Sequence, residues 1–144
     1  MTARRFPDEA TVTAWEHLAH AARQAMAAAA PLGVARSYTA AVAQAQDRLQ
    51  AALAEVVGHQ AAAWAVTQWV IVDRPIADVA WYHRLAPGTR VAHRRDGRVG
   101  LVHRLDGDSG LAEDLDADHM CRWVSWSGEE AELVRVVDLE VTVG

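Results

Sequence analysis

The chain has 144 residues, 51% hydrophobic and 23% charged, with 14 basic side chains against 19 acidic ones and a formal charge of −5. That is one domain's worth of chain, or two very small modules. Every basic residue is Arg, Lys and Asn are absent and 30 residues are Ala, so the core rests on Leu, Val and six Trp.

The skew fits codons from the genome of a GC-rich bacterium. No apolar run follows Arg4-Arg5, so no secretory leader is expected. The most apolar stretch, 61–72, is interrupted by Thr67 and Gln68, and a membrane span needs roughly 17 to 25 residues. Cys121 is the only cysteine, which excludes an intramolecular disulfide and an all-Cys zinc site. The expected compartment is the cytosol.

In chain order, Val12, Trp15, Leu18, Ala19, Ala22 and Met26 recur at helical spacing, with Asp8 as the cap and Pro31 and Gly33 as the stop. Ser37 is the expected cap of a second helix, whose stripe holds Tyr38, Val42, Ala45, Leu49, Ala52, Leu53 and Val56. The segment 60–72 either continues that helix beyond Gly58-His59 or forms its own. Pro75 behind Asp73 opens a short helix carrying Ile76, Val79, Trp81, Tyr82 and Leu85. Ala-rich stripes permit close approach, so a helical hairpin or small bundle is expected, either packed on the rest of the chain or paired as a homodimer.

Composition breaks near residue 86: 26 Ala precede it and 4 follow, while Gly rises from 2 to 7. Residues 1–86 therefore read as a helical segment, and 87–144 as a small β-domain. Pro87-Gly88 leads a strand through Val91, Asp96-Gly97 is a two-residue hairpin turn, and Val99 to Leu105 returns. An acidic loop follows, then strands at Cys121–Trp126 and Ala131–Val137. A tight turn at Asp138-Leu139-Glu140 precedes the last strand, Val141–Val143. The expected fold class is α+β, with the helices followed by a five-stranded half-open barrel.

The segment Gly88-Thr89-Arg90-Val91-Ala92-His93, followed by Gly97, Gly100 and Val102, resembles the opening of the Tudor-like tail of bacterial repair helicases. More loosely, it is similar to transcription factors that dock on RNA polymerase through such a barrel. Val124-Ser125-Trp126 with Gly128, then Asp138-Leu139-Glu140, resembles the close of SH3-like small barrels of the Tudor and KOW type. The likeness covers residues 87–143, and its two glycines stand three apart where the helicase pattern has two. It implies an SH3-like barrel that binds protein, RNA, DNA or methylated peptides.

Charge within this half is segregated. From Pro87 to Arg104 five Arg face one Asp, a balance of +4, whereas Leu105 onward carries −9. Arg90, Arg94, Arg95, Arg98 and Arg104, with His93 interleaved, either form a guanidinium patch for phosphate or an acidic protein, or neutralise the acidic half by cross-strand pairing. Trp123 and Trp126 either line an aromatic pocket for a cation with Trp81 and Tyr82, or one of the two is core and the other seals the helix–barrel junction against Trp81.

Asp106, Asp108, Glu113, Asp114, Asp116 and Asp118 lack the ligand order of an EF-hand and read as a solvated loop. The pairs His17/His20 and His119/Cys121 lack zinc-site spacing, and no nucleophile motif or phosphate loop occurs. No cofactor, metal or catalytic residue is therefore expected. The sequence points to a non-enzymatic interaction module whose barrel docks a protein partner; the alternative is a nucleic-acid-binding accessory protein using the Arg-rich hairpin.

Overall fold

A computed structural model describes residues 6–32, 39–103, 120–128 and 130–142. Helix α1 (Glu9–Ala29) starts where expected, with the Asp8 carboxylate accepting the Thr11 amide at 2.8 Å. Helix α2 (Ala40–Val57) is capped by Thr39, not Ser37, its hydroxyl accepting from the Val42 amide. Only Tyr38 separates those positions in sequence, and both hydroxyls suit the role. Gly58, at a φ of +91°, separates α2 from α3 (His59–Ile71), so the segment 60–72 belongs to its own helix.

Pro75 lends its carbonyl to the amides of Asp78 and Val79 and so opens α4 (Ile76–Arg84). Helix α1 packs on α2 and α2 on α3. The Arg23 guanidinium reaches from α1 to the Trp69 carbonyl of α3 at 2.8 Å while lying over the same indole. Trp15, Ala19, Ala22, Leu49, Leu53, Ala62, Ala65 and Trp69 are buried, so small side chains bring the helices close around a few large ones.

The β-region is a curled five-stranded antiparallel sheet, a half-barrel, with strand order β4-β3-β2-β1-β5. The strands are β1 (Arg90–His93), β2 (Val99–His103), β3 (Cys121–Trp126), β4 (Glu132–Arg135) and β5 (Leu139–Val141). The α+β class expected from the sequence is the one observed. Val91, Val102, Val124, Trp126, Val134, Leu139 and Val141 fill the inner face.

Two turns differ from expectation. The first hairpin closes through four residues, Arg94 to Gly97, because the His93 amide donates to Arg98 O and the Gly97 amide to His93 O. The Asp96 carboxylate, accepting from the Arg98 amide, favours this wider loop. The single turn of 3-10 helix before β5 spans Val136–Asp138, two residues earlier than the polar residues suggested. Val136 is fully buried and its amide donates to Met120 O, which draws an apolar residue into the turn. The last strand moves with it, to Leu139–Val141 rather than Val141–Val143, and a shift of two preserves alternation, with Leu139 and Val141 facing inward.

The chain divides into two compact units, Pro7–Ala80 and Trp81–Gly144 with Met1–Phe6. Within the second, the Trp81 indole donates to Leu139 O at 3.1 Å and meets the Phe6 ring edge-on. In an antiparallel ladder alternate residues direct their amides away from the neighbour. Leu139 is such a residue, so Trp81 occupies the outer edge of β5.

Candidate interaction surface

The first hairpin brings Arg90, His93, Arg94, Arg95 and Arg98 together, while Arg104 lies outside the described residues, as do the acidic positions 106–118 and His119. The arginines do not form one equivalent patch. Arg98 is held by three neighbours: Asp96 at 2.9 Å, Glu132 at 3.6 Å and the Trp126 ring, 4.7 Å below its guanidinium. The Arg98 amide holds the Asp96 carboxyl below the usual carboxylate range, and the guanidinium adds to the effect.

Arg94 donates to Val137 O at 2.9 Å and stands 3.9 Å from Glu140, tying the loop to the start of β5. His93 accepts the Arg95 amide at Nδ1, 3.1 Å away, so Asp96 at 3.9 Å is a neighbour of that nitrogen rather than its partner. Among the described residues Arg90 and Arg95 are engaged only through their own backbone atoms, and both side chains are exposed. Cross-strand neutralisation thus accounts for Arg94 and Arg98.

The aromatic residues do not converge on one pocket. Trp126 is buried and donates to Glu132 beneath Arg98. The Tyr82 ring is covered by the Arg122 guanidinium at 3.5 Å, and that group also donates twice to Tyr82 O. Two of the four rings are therefore filled by the chain's own cations, where a ligand cation would have to sit. Burial, with the Arg122 charge beside it, pushes the His83 imidazole down to about 4.

Trp123 points to the outer face, whereas Trp81 caps the β5 edge. Its cross-strand neighbours are His103 on β2 and Leu133 on β4. The Trp123 indole nitrogen is shielded from solvent and has no hydrogen-bond partner among the described residues. On α1, His17 and His20 are both exposed, and Cys121 is buried. Among the described residues no three His, Cys, Asp or Glu gather as metal ligands.

The feature that sequence reasoning missed is apolar. Val99, Leu101 and Leu133 are each about two-fifths exposed, and they are the exposed large hydrophobics of the sheet among the described residues. All three lie on the outer face with Trp123. Register sets Leu101 between Arg90 and Ser125, and Trp123 between His103 and Leu133. The signal was legible: β2 reads Val-Gly-Leu-Val-His, apolar at both parities, where a strand with one solvated face alternates.

Compared with protein families, curated proteins and solved structures, the chain gives no significant match.

Proposed function

We propose that the chain is a non-enzymatic interaction module in which an SH3-like half-barrel docks a protein partner on the outer face of β2, β3 and β4. The observation that carries this reading is the apolar group Val99, Leu101 and Leu133, each about two-fifths exposed, with the partly buried Trp123 beside Leu133, contiguous across three strands. Exposed apolar patches of this kind mark interaction sites. Arg90, opposite Leu101 and with its side chain exposed, offers a charge-assisted contact at the rim. The fitting partner is an apolar protein segment with a neighbouring carboxylate. Strand order and the helical turn before β5 suit the SH3-like likeness.

The same geometry weighs against phosphate recognition by the hairpin, because Arg94 and Arg98 are engaged within the fold. The test is affinity purification from the native cytosol, with and without nuclease, using wild-type chain and a Leu101→Asp/Leu133→Asp variant of equal thermal stability. A protein retained by the wild type after nuclease and lost from the variant is expected. Identical recovery with both baits, or recovery abolished by nuclease, refutes the docking face.

A further inference from the structure

Helix α3 carries no Asp, Glu or Arg from His59 to Ile71. Its solvent side holds Trp64, 54% exposed, Ile71, 75% exposed, and Val70, with exposed Gln60, Ala63 and Thr67 between them. At 3.6 residues per turn these six positions fall on one stripe roughly 120° wide. Thr67 lies at its centre, and its hydroxyl donates to the Ala63 carbonyl at 3.0 Å. The middle of the stripe therefore has its hydroxyl proton satisfied within the helix.

We propose that this stripe pairs with its counterpart on a second copy of the chain, α3 antiparallel to α3 about a two-fold axis near Thr67. The inference is independent of the docking face on the sheet. Three observations favour a second copy as the occupant. Small residues at the midpoint, Ala63 and Thr67, let two backbones approach, while Trp64 and Ile71 stand on either side. Under the two-fold, each Trp64 meets the other copy's Ile71, so the stripe complements itself.

Charge supplies the second argument. Helix α3 begins at Gly58 with no side-chain cap, and among the described residues the Asp73 carboxylate just past its other end has no hydrogen bond or ion pair. Antiparallel pairing brings each Asp73 to the uncapped amides of the other helix, where an anion is favoured. Area is the third. The exposed parts of Trp64, Val70 and Ile71 from two copies come to roughly 600 Å² of apolar surface. That is about half of the roughly 1,200 Å² at which specific interfaces begin, so the pairing has to cover the exposed Gln60, Ala63 and Thr67 as well.

The experiment is sedimentation equilibrium on the full chain, from low to high micromolar, for wild type, Ile71→Glu, Leu101→Asp and Thr67→Cys. Wild type and Leu101→Asp are expected at twice the chain mass. Ile71→Glu is expected at the single mass with unchanged circular dichroism, since its side chain stands mostly in solvent. Oxidised Thr67→Cys is expected as a disulfide-linked pair that the wild type, whose Cys121 is buried, does not form. A wild-type chain that stays monomeric, or an Ile71→Glu chain that stays dimeric, overturns the proposal. A Thr67→Cys dimer that does not cross-link overturns the axis.

Discussion

Gly100 gives the sharpest stability test of the half-barrel. A Cβ on this residue would lie 2.5 Å from the Ser125 carbonyl oxygen, 2.8 Å from Cε3 of Trp126 and 3.0 Å from Cγ1 of Val124. The first contact is with backbone, and Ser125 is paired to the neighbouring Leu101, so relief requires β2 and β3 to part locally. Overpacking of this kind costs about 1–3 kcal/mol, and the smaller entropy of an unfolded Ala chain returns about 0.4–1. Gly100→Ala should therefore lose about 1 kcal/mol. In a unit of this size that lowers the melting temperature by about 4–8 °C. Denaturant unfolding followed by tryptophan fluorescence should show a lower midpoint at unchanged slope. Gly97→Ala is the control, because open space surrounds it and only its φ of +75° resists a side chain; its cost is about 1–2 kcal/mol. A Gly100→Ala chain as stable as wild type would refute the close β2–β3 approach.

Two further outcomes follow from the charges. The His83 imidazole is held near 4 in the fold against 6.5 in the open chain, so the unfolded state binds more protons between those values. Its contribution is whole above pH 6.5, declines as pH falls, and is gone below about 4. The gap amounts to at most about 3 kcal/mol, or about 2 after allowance for partial exposure. His83→Gln should flatten the stability curve by that amount in urea titrations from pH 4 to 7; parallel curves would exclude the buried neutral imidazole. Arg98→Ala, which releases Asp96, Glu132 and the Trp126 face, should cost about 1 kcal/mol. Arg95→Ala should stay within about 0.5, and equal losses in the two thermal melts would contradict the division of the arginines.

Short-range chemistry accounts for what could be read directly. The Asp8 cap, the helix after Pro75 and the β3 span Cys121–Trp126 follow from residues adjacent in sequence, and the structure has each of them. The turn before β5 was displaced because Val136 answers to Met120, sixteen positions away, rather than to its polar neighbours. Likewise, the hairpin arginines looked equivalent because their partners Glu132, Val137 and Glu140 come to them only through β4 and β5. Charge segregation was visible; which guanidinium is already engaged depends on register. The outer apolar face is less plain, because Val99 and Leu101 are residue types that strands usually direct to the core.

The contacts of Trp81 and Tyr82 bear on how this half-barrel can be transplanted. The indole of Trp81 ends on Leu139 O, and Arg122 reaches the Tyr82 carbonyl in the closing turn of α4. A fragment begun at the composition break, residue 87, would expose the Leu139 carbonyl and strip the Arg122 guanidinium, buried in the intact chain, of the Tyr82 carbonyl and ring. The graftable unit is the sheet together with the last turn of the preceding helix. A fusion joined upstream of Trp81 keeps both contacts, whereas one joined at Pro87 begins life with a hole at its edge.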